Sequence, residues 1–202
     1  MNSQRQIALY AALLALAGAW PGSFSAPAKA KLVFTDIKGK NHMPFASAKT
    51  KAVVFVFLLR DCPVSNVYSP EITRIHKEYS KKGVALYLVH PDRDTDTKSA
   101  LAHASEYKLT APVVLDHDHK LTRLAKAEVT PEAAVFDAQR RLLYRGRIDN
   151  LYADFGKKRF NPTRRDLRDT LNALLAGKRL AKRTTEAVGC YIDFSNDKQK
   201  DK

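Results

Sequence analysis

At 202 residues, with 45% apolar and 28% charged residues, the chain is long enough to bury a real core, and its composition excludes a disordered or fibrous polymer. Two cysteines, Cys62 and Cys190, are too few for a small disulfide scaffold, and the eight glycines form no nucleotide-binding fingerprint. The formal net charge of +14 would suit nucleic acid, but the start of the chain points elsewhere.

That start, "MNSQRQIALYAALLALAGAWPGSFSAPA", sets Arg5 before an apolar stretch from Ile7 to Ala19, followed by Pro21, Gly22 and small residues. The stretch is shorter than the roughly 20 residues of a spanning helix, so residues 1–25 read as a secretory signal cleaved after Ser25 or Ala28. An uncleaved membrane anchor is the alternative. An exported chain, periplasmic or extracellular, rarely meets nucleic acid, so no nucleic-acid partner is expected. Residues 26–31 form a linker, 32–180 the domain, and 181–202 a C-terminal tail carrying Cys190.

Within the domain, "KLVFTDIKGK" reads as a strand and a turn at Gly39. "AVVFVFLL", residues 52–59, is a continuous β-branched and aromatic run, as a strand buried on both faces requires. Tyr68, Ile72, Ile75 and Tyr79 then recur at helical spacing, with Gly83 closing that helix. "VALYLV", 84–89, is a second buried strand. The next helix spans "DTDTKSALAHASEYK", with Leu101, Ala104 and Tyr107 on its inner face. "APVVLD" is a short strand, "HKLTRLAKA" a short helix, and "EAAVFD" with "RRLLYRG" an antiparallel pair around "AQ". The last helix runs from about Arg164 to Ala176, capped by Thr163 with Asp166 three residues on, and ends at Gly177. Its inward stripe is Leu167, Leu171, Leu174 and Leu175. This β-α-β-α-β-α-β-β-α order defines an α/β fold: a central mixed sheet, mostly parallel with an antiparallel edge, and helices on both faces.

In such a sheet function collects beyond the carboxyl ends of the strands, which is where Cys62 falls. It ends the first buried strand and opens a helix, with Pro63 suited to the first turn. Unpaired backbone amides and the helix dipole favour an anion there and lower a thiol's pKa. Arg60 reinforces this and Asp61 opposes it. Four readings stay open: a redox-active thiol, a structural bridge to Cys190, a metal ligand, or an inert thiol. The redox reading through Cys62 requires a sulfur open to solvent.

A buried strand followed by "DCPVS" opening a helix resembles the active-site segment of the thioredoxin-like superfamily. More narrowly, "CPVSNVYSPEI", "TPEAAVFDAQRRLLYRGRIDN" and "EAVGCYI" resemble exported redoxin-domain proteins related to peroxiredoxins and thiol-disulfide oxidoreductases. The resemblance covers residues 32–192 and implies a thioredoxin-like fold in which a cis-proline, here Pro131 after Thr130, sits opposite the reactive cysteine. It further implies thiol-dependent redox chemistry, antioxidant or disulfide-exchanging, through Cys62, with Cys190 as the resolving partner. Pro63, Ser65, Asn66, Thr130, Pro131 and Glu132 would line the substrate groove. The partners would be protein thiols or disulfides, or peroxide, together with an external electron carrier and no organic cofactor.

Three departures narrow the resemblance. Ser65 replaces the second cysteine of a Cys-x-x-Cys pair. Leu59 stands where peroxiredoxins place a threonine, and the tryptophan that precedes the thioredoxin cysteine is missing. Cys190 is the remaining thiol partner, on a tail able to fold back over the active edge.

Other constellations carry weaker expectations. Copper is the alternative cofactor, with Cys62, Cys190 and His90 as its ligands in a copper or haem-maturation protein of the same fold, since soft thiolates with imidazole suit Cu(I). A redox-silent interaction module is the third class. His117 and His119 in "DHDH" read as a solvated turn, and His42, His76 and His103 as surface positions. Tyr68 is a further site-lining candidate. Arg145, Arg147 and Asp149 in "YRGRIDN" read as a turn with internal salt bridges, or else as a source of an arginine near Cys62. Residues 157–183 hold ten cations against Asp166 and Asp169, a solvated basic surface or one that meets an anionic surface.

Overall fold

The structure, a computed structural model, describes residues 31–195; the signal-like segment, nearly all of the linker and the extreme C-terminus lie outside the described residues. In chain order the elements are β1 (Phe34–Thr35), β2 (Asn41–His42), β3 (Ala52–Phe57), α1 (Pro63–Tyr79), β4 (Val84–His90), α2 (Thr97–Glu106), β5 (Val113–Leu115), α3 (Lys120–Ala125), β6 (Val129–Thr130), β7 (Glu132–Asp137), β8 (Leu142–Gly146), β9 (Tyr152–Asp154), β10 (Lys157–Lys158), α4 (Asp166–Leu175), β11 (Arg183–Thr184) and β12 (Cys190–Tyr191).

Six strands form the main sheet in the order β11-β8-β7-β3-β4-β5. β3, β4 and β5 are parallel, β7 runs antiparallel to β3, and β8 antiparallel to β7. The unbroken apolar run of β3 has its explanation here: Ala52, Val54 and Val56 enter one core while Val53, Phe55 and Phe57 enter the other. The first core is closed by Tyr68, Ile72, Ile75 and Tyr79 of α1, Ala100 of α2 and Leu167 and Leu171 of α4. The second is closed by Leu121 and Ala125 of α3, with Phe34 and Phe45 from the N-terminal hairpin side. Helices thus cover both faces, as expected. No described helix is long and apolar enough to cross a membrane.

Several local expectations change. In α2, Ala100 and His103 are buried and Ala104 packs against the core as expected, but Leu101 is 41% exposed; Asp96 caps the helix through Ser99 N (2.7 Å). α4 begins at Asp166 rather than Arg164, and Thr163 does not cap it. Asn150 Oδ1 instead accepts from Thr163 N (2.8 Å) and Arg164 N (2.9 Å), holding that segment in a loop. His103 is buried, not surface, and His119 is buried rather than part of a solvated turn, with Nε2 on Pro91 O (2.9 Å) and its ring 4.8 Å from Phe194. Nor do the charges of "YRGRIDN" pair among themselves. Arg147 reaches Asp166 (2.7 Å), Arg145 reaches Glu128 (3.0 Å), and Asp149 accepts from Tyr68 Oη (2.7 Å).

The segment after α4 does not trail away. β11 joins the main sheet parallel to β8, and β12 pairs antiparallel with β6. Thr185 Oγ1 lies 2.6 Å from Tyr144 Oη, Ile192 is buried in the second core, and Ile192 N donates to Glu128 O (3.0 Å). Two anchors therefore flank Cys190.

Candidate functional site

Cys62 is the N-cap of α1, with extended backbone (φ −87°, ψ 111°), and Pro63 opens the first turn. Asn66 N donates to Cys62 O (3.1 Å), the first helical bond. This is the strand-to-helix junction that the sequence predicts, beyond the carboxyl end of β3. Across from it, the Thr130–Pro131 peptide bond is cis, and Cys62 Sγ donates to Thr130 O (3.3 Å). Thr130 is in turn the register partner of Cys190 in the β6–β12 pair, and its Oγ1 donates to Cys190 O (3.3 Å). One short strand ending in a cis-proline thus holds both cysteines, whose thiols lie within hydrogen-bonding reach of each other.

The expectation of an open Cys62 sulfur is overturned, which removes Cys62 as the thiol that an outside partner attacks directly and leaves Cys190 as the accessible one. Cys62 is only 2% exposed, whereas Cys190 is half-buried and Tyr191 beside it is 83% exposed. The physical cause is β12, which covers Cys62 with the second thiol. Gly189 makes that approach possible: a Cβ at this position would lie 1.9 Å from Thr130 O. Only a glycine lets the backbone come so close.

Electrostatics separate the two sulfurs. Burial resists ionisation of Cys62, but hydrogen bonds from Cys190 and from the backbone and hydroxyl of Ser65 outweigh it, and its pKa falls below the ordinary thiol value. The Ser65 hydroxyl, 1% exposed and otherwise without a partner, is available to donate to the thiolate. Burial and contact with Cys62 push the Cys190 thiol up. The first proton leaves the pair from Cys62.

Cys62, Pro63, Ser65, Thr130, Pro131 and Cys190 are therefore brought together. Asn66 and Glu132 are not at the sulfurs. Asn66 Nδ2 donates to Arg60 O (2.8 Å) and its Oδ1 meets His103 Nε2 (2.9 Å). Glu132, 3% exposed, accepts from Glu128 N (2.9 Å) and faces Arg145 (3.5 Å), which steadies the entry to β6. Tyr68 lies behind the site, where burial and then Asp149 hold its phenol far above the ordinary range.

His90 is completely buried at the end of β4, and neither ring nitrogen has a hydrogen-bond partner. Its ring sits 5.2 Å from His103, and Asp92 is 3.8 Å away. Burial, and then the nearby His103, lower its pKa to about 4, so it is neutral. The copper set of Cys62, Cys190 and His90 is not assembled: among the described residues no three His, Cys, Asp or Glu side chains converge to hold a metal. Sequence reasoning missed His103 and Gly189. A glycine immediately before the second cysteine, in a chain with only eight, was the one available signal for the latter.

A six-stranded mixed sheet flanked by helices, with a Cys-Pro helix start facing a cis-proline, defines a thioredoxin-like redoxin fold. The chain belongs to the AhpC/TSA family, whose model matches residues 23–145. Among solved structures it resembles a hypothetical protein from Sinorhizobium meliloti (23% identity, TM-score 0.69, covering 81% of this chain and 90% of that one). An uncharacterized conserved protein from Geobacillus kaustophilus is similar at 21% identity and TM-score 0.70, covering 82% and 89%. A secreted disulfide oxidoreductase from Mycobacterium tuberculosis matches at 16% identity and TM-score 0.50, covering 73% and 96%. At these identities the likeness is one of fold. No curated protein matches.

Proposed function

We propose that this protein is an exported thiol-disulfide oxidoreductase that cycles between a Cys62/Cys190 dithiol and a Cys62–Cys190 disulfide. The observation that carries the reading is the pair of thiols facing each other across Thr130–Pro131, one with a lowered and one with a raised pKa. Disulfide exchange fits the site better than peroxide reduction, because Leu59 supplies no hydroxyl and Arg145 and Arg147 are committed elsewhere.

Burial reverses the roles expected from the sequence. Cys190, the more exposed sulfur, meets the outside partner, and Cys62 acts as the buried thiolate. For reduction, a partner thiolate attacks Cys190 Sγ; the 62–190 bond breaks and its electron pair leaves on Cys62, the better leaving group. A second partner thiolate then attacks the partner's own sulfur in the mixed disulfide, releasing the oxidised partner and the Cys190 thiolate, which takes a proton from solvent. Oxidation of a partner dithiol is this sequence, while its reverse delivers electrons to a partner disulfide. Cycling in either direction needs an external thiol or disulfide carrier, and no organic cofactor or metal enters.

Peptide mapping of the oxidised protein by mass spectrometry is the test, with a 62–190 linkage expected. Glutathione disulfide should give a stable adduct on Cys190 in Cys62→Ser. Failure to form the linkage, or no adduct on Cys190 in Cys62→Ser, would sink the proposal.

A further inference from the structure

β8 ends at Gly146, opposite Ala133 and beside the Glu132–Phe57 pair, at the same end of the sheet as Cys62. From that end the chain rises into the β9–β10 hairpin. Its base is built firmly: Arg159 N donates to Leu151 O (2.7 Å), Arg159 Nη1 to Asn150 O (2.7 Å), and the Tyr152 ring lies 6.1 Å from that of Tyr68. Its outer part is made differently. Phe155 at the tip is 63% exposed, and Phe160 just beyond β10 is 98% exposed.

These two rings bracket Lys157, Lys158 and Arg159, and Arg164 and Arg165 follow. Lys157 pairs with Asp154 at 3.0 Å, while Arg164 and Arg165 turn to Asp166 (3.4 Å) and Glu71 (3.7 Å), so the cations beside the two rings are Lys157, Lys158 and Arg159 against the one carboxylate of Asp154. Lys158 has no ion-pair partner among the described residues. Exposed aromatic rings gain nothing from burial, and Lys158 makes no ion pair among those residues, so Phe155, Phe160 and Lys158 do not serve the fold. Together they match one kind of surface: an anionic bilayer, where phenyl rings enter the interface and ammonium and guanidinium groups meet lipid phosphates. A protein interface would be expected to contain fewer lysines.

We propose that the β9–β10 hairpin docks this protein onto anionic lipid bilayers, with Phe155 and Phe160 as the inserting side chains. Docking there turns the Cys62 end of the sheet toward the membrane.

The full chain should co-sediment with phosphatidylcholine vesicles containing about one-third phosphatidylglycerol, and bind vesicles of phosphatidylcholine alone much less. Binding should weaken at least about tenfold in Phe155→Ser/Phe160→Ser and in Lys157→Glu/Lys158→Glu, and also in about 0.5 M salt. The apolar N-terminal stretch is common to all these proteins, so the difference between variants reports the hairpin. As a check that does not rely on loss, Phe160→Trp in a Trp20→Phe background should shift its emission to the blue on anionic vesicles and be quenched by brominated lipid. Equal binding by wild type and both variants would overturn the proposal, as would a tryptophan unmoved by vesicles. So would variants that bind vesicles normally but react more slowly with a thiol protein, which would assign the hairpin to a protein partner. The 62–190 linkage is read separately, so failure here leaves the thiol chemistry standing.

Discussion

Cys62 stands between a six-residue strand with no exposed side chain and a 17-residue helix, whereas Cys190 rests on a two-residue strand near the end of the chain. Around Cys62 the backbone is set by β3, by the start of α1 and by two cores that meet at the sheet. Around Cys190 it is set by a handful of long-range contacts: Thr130, Ile192 and the Thr185 hydroxyl. One sulfur is thus part of the rigid scaffold and the other is carried on a segment that is cheaper to detach. The contrast shows how a buried cysteine in this fold stays useful. Its cover is a second thiol, and in the proposed function moving that cover is the reaction.

The sharpest way to break that contrast is at Gly189. Gly189→Val places side-chain carbon against Thr130 O and should undock β12 while leaving β3 and α1 in place. Alkylation of Cys62 by iodoacetamide should then speed up at least about tenfold, and the 62–190 disulfide should fail to form. An unchanged labelling rate would mean that β12 is not what covers Cys62.

On the scaffold side, His90 predicts an acid sensitivity. Folded His90 titrates near 4, below the ordinary value, so between that pH and about 6.5 the unfolded chain binds a proton that the folded one does not. Its contribution is present above about pH 6.5 and is lost as pH falls toward 4, by up to about 3 kcal/mol. Urea unfolding of His90→Leu at pH 7.5 and 4.5 should show a smaller gap between the two pH values than wild type does. A gap of the same size would show that His90 titrates normally.

Smaller effects grade the two regions further. Tyr68→Phe removes the buried bond to Asp149 behind the site and should cost about 1–3 kcal/mol by equilibrium unfolding, with the disulfide still forming. Thr185→Ala loses the bond to Tyr144, whose hydroxyl keeps Arg147 O at 2.6 Å, and the longer bond accepted from Arg147 N (3.2 Å). Global stability should drop by about 1 kcal/mol or less, yet hydrogen exchange at β12 should rise clearly. If Thr185→Ala loosened α1 as much as β12, the division into scaffold and detachable cover would not hold.

Much of this molecule was legible because its signals are local. A run such as "AVVFVFLL" has no exposed face to declare, and Tyr68, Ile72, Ile75 and Tyr79 mark the inner face of α1 without help from the rest of the chain. The Cys62–Pro63 helix start and the position of Pro131 followed from the order of elements and from family resemblance. Where a short-range rule competed with a distant partner, it lost. Thr163 has the right chemistry for a cap, but Asn150 claims its backbone, and the surface-like His103 is drawn inward against Asn66.

By itself, then, the sequence determined the strand-and-helix order, the two-sided core and the placing of one thiol at a helix mouth, since each depends on periodicity or on neighbours a few residues away. Tertiary structure alone decided that Cys190 covers Cys62, that Gly189 admits it, and which sulfur faces outward. Those outcomes depend on segments about 60 residues apart in the chain meeting at Thr130, and no local pattern encodes such a meeting.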